Sequence, residues 1–358
     1  MLYREAGQFK TTYVADAAIF PIRQDRVAIA AILLVAFVLV PLFASQYVFL
    51  GILIPFLILS LAALGLNILT GYAGQVSLGT AAFMAVGAFA SYNFMLRVDG
   101  MPILVAFACS GLMAAAVGML FGLPSLRIRG FYLAVATLAA QFFVVWCLAK
   151  IGWFSNYSSS GVITAQPIVI AGFAFDSPQR KYMLVLTIVA LMALAAKNMA
   201  RSNLGRRWMA VRDMDVAAEV IGIRMMHTKL SAFAVSSFYC GIAGALYAYA
   251  HLGTVEPEAY NLDLSFRILF MIIIGGVGSV LGAFLGAGFI TLMPIFLNMF
   301  VGWMEHTLGL PIPGSITSNL EAMVFGALII FFLIVEPHGL ARLWQIGKEK
   351  LRLWPFPH

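Results

Sequence analysis

The sequence predicts an all-α, polytopic membrane protein of about ten transmembrane helices, and three observations carry that prediction. Of 358 residues, 62% are hydrophobic and only 10% are charged, against roughly 25% charged in a soluble globular chain. Between the charged segments lie apolar runs of the length that crosses a bilayer, about 20 residues. All 15 acidic residues fall in loops, tails or near the ends of those runs. So little charge cannot cover a water-soluble body of this size.

Taken in order, residues 1–26 form a polar tail with Arg4, Lys10, Arg23 and Arg26, read as cytoplasmic. The first apolar run ends in "VPLFASQ", where Leu42 at the −3 position before Ala44 spoils a small-x-small cleavage site. It therefore reads as an uncleaved span. The spans expected on length are 27–45, 48–67, 76–95, 102–123, 131–149, 182–199, 230–250, 264–282, 283–300 and 318–336, making 27–336 the transmembrane domain. The third follows the glycine-rich "TGYAGQVSLG", which suits a short or re-entrant helix. The eighth and ninth divide only at the glycines of "GGVGSVLGAFLGAG". Residues 337–358 read as a cytoplasmic tail.

Ten spans put both termini on one side. With the N-terminus inside, 17 of 22 basic residues face the cytoplasm, leaving Arg97, Lys150, Arg180, Lys181 and Arg267 outside or near the outer boundary. That asymmetry follows the positive-inside rule. It also accounts for the net charge of +7 without any nucleic-acid partner. Glycines spaced four apart, Gly118 with Gly122 and the series Gly278, Gly282, Gly286, read as helix-packing positions. A hinge role is the alternative.

Several chemistries are excluded. Cys109, Cys147 and Cys240 lie singly in apolar runs, with no spacing for a metal or a disulfide framework. No Walker-type loop is present, and "GGVGSV" and "GQVSLG" lack the first glycine of a nucleophile elbow. His227, His251 and His306 are scattered. The reading is therefore no enzyme, no catalytic residues, no metal and no cofactor. Carboxylates are absent from span interiors, which argues against an ion-coupled carrier. Asp263 and Arg267 at i, i+4 form an outer-end pair.

One segment stands apart. Residues 205–223, "GRRWMAVRDMDVAAEVIGI", concentrate Arg206, Arg207, Arg212, Asp213, Asp215 and Glu219 between spans six and seven. As one helix, Ala210, Met214, Ala217, Ala218 and Ile221 would form an apolar stripe, with Gly222 as the stop. A helix lying in the lipid headgroups is one reading. The mixed charges and small stripe suit a groove on a protein partner better. On that reading Ala217 and Ala218 are small because the groove wall is close. Arg212 would then serve as an ionic anchor, to a partner carboxylate or to Asp215.

The same segment resembles the cytoplasmic coupling segment of the branched-chain amino-acid type of ABC importer permease, the LivM-like family. The resemblance rests on Gly205, Arg206, Ala210, Val211, Arg212, Asp213, Ala217, Ala218, Glu219, Gly222 and Ile223. Family-like passages flank it in order: "LNILTGYAGQVSLGTAAFMAVGAF" (66–89), "LRIRGFYLAVATLA" (126–139), "KLSAFAVSSFYCGIAGALYA" (229–248), "IIGGVGSVLGAFLGA" (273–287) and "EPHGL" (336–340). Together they cover about residues 48–342.

This resemblance implies a bacterial inner-membrane importer of branched-chain or other hydrophobic amino acids. Its implied partners are a homologous second permease subunit, two ATP-binding subunits and a periplasmic solute-binding protein. Gly205, Arg206, Arg212, Asp213, Ala217, Ala218, Glu219 and Gly222 would couple to the ATPase. "NYSSSGVITAQP" (156–167) departs from the "TGG..G" passage of many members. The departure leaves urea, amides and aromatic acids open as substrates. Polar groups within spans that would touch substrate are Tyr72, Gln75, Ser77, Thr80, Thr137 and Gln141, foremost Tyr72, Gln75, Thr137 and Gln141. Interhelical hydrogen bonding is their other reading.

Overall fold

The computed structural model describes Thr12 and residues 23–123, 131–158, 162–170, 172–308, 314–335 and 339–353. Arg4, Lys10, Arg127 and Arg129 of the charge argument lie outside them. The chain is an all-α polytopic membrane protein. Its elements are α1 (Arg23–Leu34, running on to Phe43), α2 (Ile54–Asn67), α3 (Thr80–Arg97), α4 (Ile103–Gly122) and α5 (Phe131–Lys150). Then come α6 (Pro178–Arg201), α7 (Asn203–Asp213), α8 (Asp215–Val220), α9 (Met225–Leu246), α10 (Leu262–Gly275), α11 (Val280–Leu308), α12 (Gly314–Val335) and α13 (Gly339–Leu353). Among the described residues seven helical runs are long and apolar enough to cross a membrane.

Each expected span meets a helix, with two boundary corrections. The third helix starts at Thr80 rather than 76, because residues 73–79 are irregular, with Gly74 at φ of 68°. The eighth and ninth divide at 276–279 rather than after 282, because Gly276 and Gly278 take φ of 115° and 82°, values that end a helix and that side chains resist. Gly278 thus lies in a turn, outside the packing series. Gly282 and Gly286 do face the α10 backbone at Gly275 and Met271, and Gly118 and Gly122 face α9 at Ser237 and Phe233.

Two halves of the chain repeat one design in opposite directions. In the first, α2 ends in a π-helical turn (Ile68–Tyr72), an irregular stretch follows, and then α3, α4 and α5. In the second, α9 ends in a π-helical turn (Tyr247–Leu252), an irregular stretch follows, and then α10, α11 and α12. The packing is reciprocal: α4 lies on α9 as α11 lies on α2, and α3 on α9 as α10 on α2. A buried core of mostly aliphatic and alanine side chains runs through these contacts. On the face remote from α7 and α8, β1 (Ile163–Thr164) pairs with β4 (Thr254–Val255), and β2 (Val169–Ile170) with β3 (Phe173–Ala174). The β1–β4 pair holds the second half's irregular stretch.

Candidate functional site

The charged segment is two helices, not one. Met214 adopts extended backbone (φ −153°, ψ 97°) between α7 and α8. Aspartates on both sides of it favour a helix end over a helix interior. Ser202 opens α7 by accepting from the Leu204 amide at 3.2 Å. Gly205 sits where a side chain would collide with the carbonyls of Met199 and Ala200. Arg206 bonds the Asn203 side chain. At the far end Gly222 donates to the Glu219 carbonyl and Ile223 to that of Ala218, each at 3.0 Å. This pattern, with φ of 88° at Gly222, is a Schellman stop.

The break rotates the expected stripe. Gly205, Trp208, Val211 and Ala218 face inward. Trp208 is fully buried and donates its indole N–H to Ser231 of α9 at 3.0 Å. Met214 (71% exposed), Val216 (66%), Val220 (83%) and Ile221 (74%) form an outward apolar cap. Ala217 is exposed, whereas Ala218 packs against its own chain. Ala218 is therefore small for an internal reason, which corrects the expectation of a partner's groove wall at that position.

Arg212 also differs from expectation. Its Nε pairs with the adjacent Asp213 at 2.8 Å, and its Nη1 donates to the Gly71 carbonyl at 2.8 Å. That carbonyl belongs to the π-helical turn closing α2, and a cation there satisfies an end carbonyl. The Gly71 backbone in turn packs directly on Gly278. The side chain of Asn67, fully buried, joins the same place: its Oδ1 accepts from the Gly278 amide at 2.8 Å and its Nδ2 donates to the Ser279 carbonyl at 2.7 Å. Arg212 thus rests on a seam between the two halves. Asn67 was missed by motif reasoning, although an asparagine inside an apolar span was a signal for it.

A cleft of about 590 Å³ opens beside this seam, lined by Gly74, Gln75, Leu133, Arg212, Met214 and Lys229 among others. Tyr72 is buried next to it. Gln75 is held by its backbone, its amide donating to Leu69 and its carbonyl accepting from Thr70. Its side-chain amide is buried with no partner among the described residues. An unmet buried amide costs on the order of 1–3 kcal/mol.

Thr137 and Gln141 occupy a second place, deeper in the molecule. Thr137 Oγ1 accepts from the Leu78 amide at 2.9 Å. Gln141 Oε1 accepts from the Ala82 amide at 2.6 Å and from Ser265 Oγ at 3.2 Å, while its Nε2 donates to the Tyr260 carbonyl at 2.8 Å. Ser265 Oγ accepts from the Ala81 amide at 2.9 Å. The amino ends of α3 and α10 therefore meet at one buried glutamine supplied by α5. Both Thr137 and Gln141 accept from backbone amides at the start of α3 that lack helical partners. Ser77 is likewise buried, its hydroxyl accepting from Gly79, whereas the buried Thr80 hydroxyl has no partner among the described residues.

Residues 48–333 match the family model described as the permease component of the branched-chain amino acid transport system. The chain is 27% identical over 300 residues to the high-affinity branched-chain amino acid permease protein LivM of Escherichia coli, covering 77% of this chain and 66% of that relative. It is 24% identical over 325 residues to the probable LivM of Methanocaldococcus jannaschii, covering 81% and 92%. It is also 28% identical over 242 residues to the autoinducer 2 import permease LsrC of an Enterobacter strain, covering 64% and 65%. No solved structure matches the chain.

Proposed function

The chain belongs to the branched-chain amino acid transport permease family, and from that premise we propose that it is one membrane subunit of an ABC importer. Its partners are a homologous permease, two ATP-binding subunits and a periplasmic solute-binding protein. It lies in the bacterial inner membrane with both termini and the α7–α8 pair in the cytoplasm. The observation that carries this reading is the outward apolar cap of Met214, Val216, Val220 and Ile221. It stands on a pair of helices fastened from behind by Trp208 and Arg212. A fastened apolar cap is suited to enter a cleft on an ATPase, and its attachment to the seam between the halves gives a route for nucleotide-driven movement to reach the pathway.

Placing charge on the cap separates docking from folding. Val220→Glu and Met214→Glu leave the melting temperature of the purified chain unchanged and lower both ATPase copurification and uptake. Arg212→Glu frees the Gly71 carbonyl, so assembly survives while ATP hydrolysis uncouples from uptake. Full uptake and full copurification by all three variants would remove the coupling role. Ala218→Trp overpacks an internal contact, typically at about 1–3 kcal/mol, and so lowers melting temperature first.

The substrate is a branched-chain or other hydrophobic amino acid. A second reading, a more polar solute such as urea, an amide, an aromatic acid or a sugar, draws on two facts. Residues 156–167 depart from the pattern the resemblance implies, and relatives over part of the chain are named for autoinducer 2 and xylose. Calorimetry of the cognate solute-binding protein against leucine, urea and xylose decides between them.

A further inference from the structure

Within the expected C-terminal tail, helix α13 forms 15 helical residues, "GLARLWQIGKEKLRL". At 100° per residue, Leu340, Leu343, Trp344 and Gly347 share one face, and Arg342, Gln345 and Glu349 the opposite one. Lys350 lies on the flank. Four basic residues against one acid leave the helix strongly cationic. Leu340 packs on the core, but Leu343 is 48% exposed and Trp344 57%. Apolar side chains therefore stand out of the protein along the edge of a cationic helix.

The position of the helix says what they meet. Lys348 Nζ pairs with Asp25 at 2.8 Å. Asp25 opens the first membrane-crossing run, whose outward residues Val27, Ile32 and Leu34 are exposed as lipid-facing residues are. The ion pair thus fixes α13 at the level where that run enters the bilayer. At its other end Gly339, with φ of 67°, lies against the Gly276 amide and the Ile274 carbonyl, where any side chain would collide. The turn it touches is the one that receives Asn67 and abuts Gly71, the anchor of Arg212.

We propose that α13 binds the anionic headgroups of the surrounding leaflet, sinking Leu343 and Trp344 into the interface and laying Arg342 and Lys350 along the phosphates. Amphipathic helices with bulky apolar residues and a basic polar face occupy this layer. Each basic residue near an anionic surface contributes about fivefold to the binding equilibrium. Through Gly339 the occupied helix bears on the glycine turn at the seam between the two halves, so leaflet charge sets how firmly that seam is held. The proposal requires only that the chain be a membrane protein; it does not depend on its cargo.

The test uses the full chain with Cys109, Cys147 and Cys240 replaced by alanine and an environment-sensitive dye on Leu343→Cys. The protein is placed in vesicles of phosphatidylcholine alone or with rising phosphatidylglycerol. The dye emission moves to the blue as the anionic fraction rises, and Arg342→Glu with Lys350→Glu abolishes that dependence. High salt weakens it. A parallel label at Phe43, at the far end of the first run, stays constant and shows that insertion is unchanged. Emission that is insensitive to phosphatidylglycerol overturns the proposal. So does a blue shift that appears only when an ATP-binding subunit is added, which would make this a protein-docking face.

Discussion

The two inverted halves secure their short helices differently. Helix α10 is capped from its own loop: Asn261 Oδ1 accepts from the Leu264 amide at 3.0 Å. The loop around it is pinned by the β1–β4 pair and by the Tyr260 hydroxyl, which donates to the Gly244 carbonyl at 3.1 Å. Helix α3 has no cap of its own. Gly79 precedes it and bonds Ser77 of the same loop, while the Leu78, Ala81 and Ala82 amides are satisfied by Thr137, Ser265 and Gln141 from other helices. Its loop also carries the unmet amide of Gln75. The short helix of the second half is capped from its own loop, whereas that of the first is capped by its neighbours. A segment whose end groups depend on other helices is released when those helices separate, so the first half is the one built to move.

The strongest way to break this contrast is Gln141→Leu. It removes the acceptor of the Ala82 amide and the donor to the Tyr260 carbonyl, leaving buried groups that each cost about 1–3 kcal/mol. The variant loses several degrees of melting temperature and most uptake, and Gln141→Glu, which keeps the acceptor at a helix amino end, recovers part of the stability. Arg212→Ala comes next. Its bond to Gly71 reaches from a partly exposed side chain, so the loss is about 1 kcal/mol, and protease sensitivity rises in residues 73–79 but not in 253–261.

Asn261→Ala removes a cap worth about 1 kcal/mol. If the start of α10 is set by its own loop, melting temperature falls slightly and uptake kinetics hold. A large uptake defect would erase the difference between the halves. The smallest effect belongs to Gln75→Leu. Replacing an unmet amide by an apolar group of similar size is neutral or slightly stabilising, so melting temperature stays or rises. Uptake slows if that amide finds its partners in another conformation. An unchanged rate would assign it no part in movement.

The helices were legible because apolar run length is a local property, and each expected span found its helix. What failed was phase and distance. The alanine stripe of residues 210–221 assumed one continuous rotation, and a single extended residue, Met214, turned Ala218 inward and Val216 and Val220 outward. Asn67 and Ser265 could not be matched to partners more than a hundred residues away. Arg212 was read against charges, while its distant partner is a backbone carbonyl, which leaves no mark in sequence. The cationic pattern of α13 was present in the sequence but was obscured by the expectation of a tail.

The side-chain capping of α3 has an experimental consequence. Backbone amides in membrane helices normally exchange with solvent only when the helix unwinds. Those of Leu78, Ala81 and Ala82 are instead protected by side chains of α5 and α10, so they become exchangeable once those helices step back, even while α3 stays wound. Deuterium uptake at these three positions, compared with their neighbours later in α3, therefore records the opening of the junction by itself, without a label, a bound solute or a measured flux.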